Sequence, residues 1–425
     1  MLMRQRGNRV GTGTAMASLR RINQDDLRNH NLSVVIDTLL RASTPMSRAN
    51  LAKETGLTKA TMSLLVSLLI DAGIVKEGEP QNSSSYGRPS TPLALGGGKV
   101  CGIGMQVNTD GYGCVALDIN RDTLGYEWVD ADMGGVDPEG VFGRLDAMVG
   151  AMEDRLEGEG CIVAGVACAL PGLVTSERQL LTARNLGWEN IDLSRFDVMR
   201  RYDVRPGNEA KMAAIAQIPG YACARADFLD AVDCTDSFIY LSCDIGIGGA
   251  IVRDGEVVAG SHGFAGEIGH VSVALDGPLC RCGRKGCLEA YAGRRSLVEA
   301  SGVVGGDEAS TSQALDRMLD AWHTGDRQTV EAVDRAVDAL TSAIGSAVNL
   351  VDVDTVLLGG WWINFGQSFY EMLESRLKEQ VLGVSDMQVS VSMPPVADHP
   401  ALYGAAEVGL RRFIDNPLGF IADKA

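Results

Sequence analysis

The sequence predicts an α/β protein with mixed sheets, preceded by a small α+β domain of the winged helix-turn-helix type. Three observations predict it. The first hundred residues hold 13 Lys and Arg against 7 Asp and Glu, a net +6, which leaves −23 for residues 101–425 out of a total of −17. The same stretch shows helical periodicity followed by two short strand patterns, whereas after Gly96-Gly97-Gly98 apolar runs alternate with helical ones, as in α/β folds. At 425 residues the chain is also longer than one hydrophobic core usually organises.

Residues 1–25 are rich in Arg, Gly, Thr and Ala without apolar periodicity and are expected to form a flexible basic tail. A winged domain is expected over 26–95. Leu32, Val35, Ile36, Leu39 and Leu40 follow the i, i+3, i+4, i+7, i+8 spacing of an amphipathic helix. A second helix fits Ser47 to Thr55, with Ser47 as N-cap, Leu51 facing inward and Gly56 ending it. The next begins at the N-cap Thr58, buries Met62, Leu65, Val66 and Leu69, and stops at Gly73. Ile74 and Val75 start a strand, a polar loop runs from Gln81 to Arg88, and Thr91 to Leu95 returns as a second strand, which makes a wing.

Two helices around a short Gly turn, the second with polar positions near its N-terminus, place that second helix in a DNA major groove. The candidate DNA contacts are Ser47, Thr58, Lys59, Thr61, Ser63, Ser67 and, in the wing, Arg88, since narrow minor grooves attract Arg. The competing reading is a three-helix packing module with a solvated hairpin. The negative total charge does not exclude operator DNA as a partner, because the first hundred residues, basic tail and winged domain together, are net positive.

Within 96–425, strands are expected at Cys114 to Asp118, Ile162 to Cys168, Ser237 to Ser242 and Val356 to Leu358, and helices at Val141 to Leu156, Lys211 to Gln217 and Gln328 to Val351. No short repeat is present. Neither a run of 18 apolar residues nor a secretory signal occurs, so a cytoplasmic protein with no membrane partner is expected. Seven of the ten cysteines are scattered in apolar surroundings and suit small buried core positions.

The other three crowd together in the segment 266–289. Gly266-Glu267-Ile268-Gly269-His270 is followed by Cys280-Arg281-Cys282-Gly283-Arg284-Lys285-Gly286-Cys287-Leu288-Glu289. His270, Cys280, Cys282 and Cys287 are four N/S donors, the set a closed, tetrahedral structural zinc site takes. A closed set leaves no place for a reactive water, so no zinc-based hydrolysis is expected. A reactive thiol cluster or a disulfide are the alternatives.

Glu-x-Gly-His followed by Cys-x-Cys-Gly-x-x-Gly-Cys-x-Glu resembles the signature of the ROK family of sugar kinases and related transcriptional repressors. The resemblance extends through Leu170-Pro171-Gly172-Leu173-Val174, Asn185-Leu186-Gly187-Trp188, Asn208-Glu209-Ala210, Asp244-Ile245-Gly246-Ile247-Gly248-Gly249 and Gly359-Gly360. With the winged module in front, the chain resembles the family's xylose and N-acetylglucosamine repressor type. The resemblance implies a two-lobed, actin- and hexokinase-like (ribonuclease H-like) domain with a sugar in the cleft, contacted by Asn185, Asn208, Glu209, Glu267, His270 and Glu289. It also implies a homodimer or dimer of dimers, which matches the two half-sites that helix-turn-helix proteins read.

A kinase of this family needs an Asp-x-Gly-Gly-Thr phosphate loop, a second Gly-rich loop and an Asp base. Only the second loop, Asp244 to Gly249, is intact in sequence. Alignment with the family puts Gln106 at the first loop's Asp and Asn108 at one of its glycines. Glu209 occupies the base position; its extra methylene moves the carboxylate by about 1 Å, a misplacement that can cost roughly a hundredfold in rate. Lys211 replaces a customary Asn. A sugar-responsive regulator of carbohydrate-utilisation genes, without catalytic residues, is therefore expected. The alternative is an ATP-dependent sugar kinase carrying a DNA-binding arm.

Overall fold

The computed structural model describes residues 23–79, 91–224, 235–304, 312–383 and 388–421. Most of the expected tail, the wing loop with Arg88, and Cys234 lie outside the described residues.

The first helix, α1 (Gln24–Arg41), starts two residues inside the expected tail, because Asn23 and Asp26 form a reciprocal capping box there. Its Leu32, Val35, Ile36, Leu39 and Leu40 are buried as the periodicity requires. A short strand not expected from the sequence, β1 (Met46–Ser47), precedes α2 (Arg48–Thr55). Gly56 turns the chain in the left-handed region at φ 72° into α3 (Lys59–Asp71), capped by Thr58. Strands β2 (Val75–Glu77) and β3 (Pro92–Leu95) pair antiparallel, and β3 also pairs with β1, giving a three-stranded wing sheet.

The first lobe contains β4 (Val100–Val107), β5 (Gly111–Asp118), β6 (Thr123–Asp130), α4 (Pro138–Gly158) and β7 (Ile162–Leu170). A small sheet of β8 (Leu173–Val174), β9 (Gln179–Ala183) and β10 (Trp188–Asp192) follows, then α5 (Asp197–Arg201), β11 (Arg205–Asn208) and α6 (Glu209–Ile215). The second lobe contains β12 (Phe238–Cys243), β13 (Ile247–Arg253), β14 (Glu256–Val257), α7 (Glu289–Ala292), α8 (Arg294–Ser301), α9 (Ser312–His323) and α10 (Arg327–Val351). It closes with β15 (Thr355–Gly360), α11 (Gln367–Leu377) and β16 (Ser390–Ser392), after which α12 (Pro400–Asp415) and α13 (Pro417–Ile421) return to the first lobe.

The two five-stranded sheets have matching topology, β6-β5-β4-β7-β11 and β14-β13-β12-β15-β16. In each, an antiparallel three-strand meander is extended by two parallel strands. This is the two-lobed architecture, and its internal duplication leaves no short-period sequence signal. Helices α6 and α12 lie between the sheets: Met212 and Ala213 of α6 and Ala401 and Ala405 of α12 share one buried cluster with Ala167 of β7 and Tyr240 of β12.

Strand β4 is buried along its whole length. Cys101, Ile103 and Met105 join the α4 side, and the alternate Gly102 and Gly104 admit the α12 backbone so closely that a Cβ on either would come within 2.2 Å of it. Because Leu402, Leu410 and Phe413 of α12 also join the cluster of Leu32, Ile36 and Leu65, the winged domain and the first lobe share one continuous core.

Candidate functional site

On the winged domain, Lys59, Ser63 and Ser67 form an exposed face of α3, with Thr58 exposed at its cap and Thr61 half-exposed beside it. Thr58 Oγ1 accepts from the Thr61 N–H at 3.2 Å. Ser47 departs from expectation. Its side chain is 8% exposed, and its hydroxyl accepts the Asn50 N–H at 3.3 Å while its own N–H donates to Asn50 Oδ1 at 3.2 Å. That side chain is committed to a capping box and does not belong to the exposed face.

The cleft is built from strand ends and the turns after them. Asn208, the last residue of β11, caps α6: its Oδ1 accepts from the Ala210 and Lys211 N–H groups at 2.9 and 3.2 Å, and its Nδ2 donates to Gly172 O at 2.9 Å. Only one Nδ2 proton remains for a ligand. Glu209 opens α6 and faces Asp110, from the β4–β5 turn, and Asp244, from the β12–β13 turn. Burial first, then the charges of Asp244 and Asp110, push the Glu209 carboxyl up to about 8. Burial and Asp110 likewise raise Asp244.

The sequence reading missed Asp110, which the turn itself could have signalled, since Asn108 Oδ1 accepts the Asp110 N–H at 2.9 Å. The first phosphate loop is thus an Asn-closed turn that presents a carboxylate. Gln106, at the aligned Asp position, is 5% exposed, and its Oε1 has no hydrogen-bond partner among the described residues. The second loop, although intact in sequence, has a backbone N–H already engaged. The Ile247 N–H already donates to Glu289 Oε2 at 3.1 Å, and a Cβ at Gly246 would come within 2.3 Å of that carboxylate oxygen.

Glu267, His270, Lys211 and Glu289 form a second polar group. Burial raises the Glu267 carboxyl, opposed by His270 and Lys211. Burial lowers the Lys211 ammonium, opposed by Glu267, and its Nζ donates to Gly263 O.

His270 ends a 3-10 turn and reaches the cysteine hairpin, which is pinned by bridges Ser272–Cys287 and Leu279–Lys285. The ligand-type atoms of His270, Cys280, Cys282 and Cys287 lie within 4.8 Å of one another, with Cys280 Sγ 3.9 Å from His270 Nδ1 and Cys282 Sγ 3.6 Å from Cys287 Sγ. Four such donors fit one tetrahedral cation. No disulfide forms between these cysteines, and the six other described cysteines are buried and free, as expected.

Asn185 and Glu289 line a cavity of about 150 Å³ between the lobes, together with Ile245, Gly246, Cys280 and Arg295. Asn208, Glu209, Glu267 and His270 are not on its wall. The cavity is smaller than the roughly 300–1,000 Å³ of drug-sized pockets and suits a compact ligand.

The ROK family profile matches residues 139–411, well over half of the sequence. The chain belongs to the ROK family. Among curated relatives, the xylose repressor of Caldicellulosiruptor bescii is 25% identical over 410 residues, covering 92% of this chain and 99% of the relative. Among solved structures, a ROK family transcriptional regulator described as a homologue of the E. coli Mlc protein superposes with a TM-score of 0.74 at 23% identity, covering 94% of this chain and 100% of that one. A ROK glucokinase from Streptomyces griseus, solved with glucose and AMPPNP, gives a TM-score of 0.57 at 22% identity and covers 72% of this chain and 98% of its own. The two-lobed fold is therefore shared by ROK regulators and ROK kinases. No helix among the described residues is long and apolar enough to cross a membrane.

Proposed function

We propose that this protein is a sugar-responsive DNA-binding transcriptional repressor of carbohydrate-utilisation genes, acting as a dimer without phosphoryl transfer. The observation that carries the reading is the position of α1. One side of the winged domain offers the α3 face to DNA, while α1 is packed into the lobe core on α12 and reaches the second lobe as well. Asp37 of α1 pairs with Arg411 of α12 at 2.8 Å, and Arg41 Nη1 lies 4.0 Å from Asp236 Oδ2, just before β12. Lobe movement therefore acts directly on the helix that supports the reading head. The full-length match to a xylose repressor supports a pentose or hexose as the effector.

In this reading the sugar lies in the closed cleft next to the cavity, where Glu289, common to the cavity wall and to the Glu267–His270 group, joins Asn185 to Asn208, Glu209, Glu267 and His270 as hydroxyl contacts. A carboxyl held near pH 8 is protonated at neutral pH and can donate as well as accept, which suits a polyol. Phosphoryl transfer is disfavoured because Gln106 stands at the aligned Asp of the first phosphate loop, and because the Ile247 N–H of the second loop is already taken by Glu289.

Zinc is the cation that the His270, Cys280, Cys282 and Cys287 donor set fits, in a structural role. With His270 Nδ1 directed at the cluster, Nε2 is left for a sugar hydroxyl. Arg88, Thr58, Lys59, Thr61, Ser63 and Ser67 contact the operator. Sugar binds the closed lobes better than the open ones, and that difference in affinity, typically about 1–3 kcal/mol, sets how far operator occupancy shifts.

The test is twofold. Operator fragments bound by the purified protein should be released, or bound more tightly, on adding one sugar from a monosaccharide panel. Sugar-dependent ADP formation should stay at background; turnover of several per second with any hexose would overturn the reading in favour of a kinase with a DNA-binding arm.

A further inference from the structure

The exposed side of α3 carries a residue that the polar reading leaves out. Met62, Leu65, Val66 and Leu69 fill the core of the winged domain, each 2% exposed or less, whereas Leu64 is 58% exposed. Among the described residues of α2 and α3 it is the only large apolar side chain so exposed. In a helix its surface neighbours are the residues three and four positions away, Ala60, Thr61, Ser67 and Leu68. Ala60 and Ser67 are short and exposed, and Thr61 and Leu68 are half-buried. Leu64 therefore stands out near the middle of the exposed side of α3, with Lys59 at its edge.

Folding gives no reason for this placement, since the domain's core is complete without Leu64. The surrounding charge indicates what meets it. The face lies in the net-positive first hundred residues, and residues 59–70 of α3 carry Lys59 and no acidic side chain, so the face is suited to a polyanion. In the major groove the only apolar feature of a base edge is the 5-methyl group of thymine.

We propose that Leu64 reads a thymine methyl group, so that each operator half-site carries a required thymine whose recognition is apolar. This rests on the DNA-binding reading above. Arg and Asn, which read guanine and adenine by paired hydrogen bonds, are absent from the described α3 sequence, Lys-Ala-Thr-Met-Ser-Leu-Leu-Val-Ser-Leu-Leu-Ile-Asp. Sequence preference on this helix is then carried by Lys59, the hydroxyls and Leu64.

The test begins by selecting binding sites for the full chain from a random-sequence duplex library. Each thymine of the selected half-site is then replaced by deoxyuridine, which keeps base pairing and removes only the methyl group. At one thymine the wild type should lose about fourfold in affinity per half-site, the value of one buried methyl, and Leu64→Ala should bind both duplexes equally while retaining the wild-type unfolding temperature. If a sequence is selected but no deoxyuridine replacement weakens wild-type binding, this inference falls and the repressor reading stands. A Leu64→Ala variant that remains as sensitive to the missing methyl as the wild type also overturns it. If no sequence is selected at all, both readings fail.

Discussion

Cys282 is the one half-buried cysteine of the four-donor cluster, and the hairpin it closes delivers both the cavity wall at Cys280 and the carboxylate at Glu289, whose Oε1 lies 3.6 Å from Cys280 Sγ. Removing one donor should therefore disturb sensing more than DNA reading, because the α3 face belongs to a different core. Cys282→Ser is expected to hold less than one zinc per chain by metal analysis and to lose the sugar-dependent change in operator affinity, while keeping the sugar-free operator affinity of the wild type. Normal sugar response in a zinc-free variant would break the proposed link. Asn208 illustrates why single residues resist assignment from sequence. The family resemblance implies a sugar contact there, yet most of its hydrogen-bonding capacity holds the N-terminus of α6 and the Gly172 turn.

Helix α12 is the element on which the others converge. It lies against β4 and β7 of the first lobe, against α6 between the lobes, and against α1 of the winged domain. Small residues make this possible: a Cβ at Gly404 would sit 1.7 Å from Met212 O on α6. The helix also buries a carboxylate. Glu407, 1% exposed, accepts from Arg121 at 3.1 Å and from the Ala222 N–H at 3.3 Å. Burial pushes its carboxyl up to about 7, and the attraction of Arg121 only partly opposes this. A carboxyl raised on folding binds its proton more tightly in the native state than in the unfolded chain, where it titrates near 4.5. The stability this contributes is present at low pH and is lost as pH rises from about 4.5 through about 7. Relative to Glu407→Gln, the wild type should therefore gain unfolding temperature as pH is lowered from 7.5 towards 5, measured by thermal denaturation. A constant difference across that range would show that the carboxyl does not titrate there.

At the scale of the whole molecule, the question is how a closing cleft reaches DNA. The winged domain touches the first lobe through a broad apolar core and the second lobe through the end of α1, where Arg41 meets Asp236 and packs beside Gly255. A surface ion pair of this kind is worth about 0–1 kcal/mol, less than the roughly 1–3 kcal/mol typical of allosteric coupling. Arg41→Ala is accordingly expected to reduce the sugar-induced change in operator affinity by up to about fivefold without abolishing it, with sugar affinity itself little changed. Operator titrations with and without sugar would measure this, and an undiminished sugar effect would move the coupling to the α1–α12 contact.

The sequence by itself determined the local parts. The helical periodicity from Leu32 to Leu69, the caps at Ser47 and Thr58, and the spacing of His270 and the three cysteines are short-range patterns, and each reappears in the structure where the spacing put it. The carboxylate triad of Asp110, Glu209 and Asp244 joins three turns separated by about a hundred and by some thirty-five residues, so no window of sequence contains it. The Glu289 contact at Ile247 and the exposure of Leu64 depend on which neighbours occupy the other side of each residue. Only tertiary packing decides that, because burial and hydrogen-bond partners are properties of the surroundings and not of the residue.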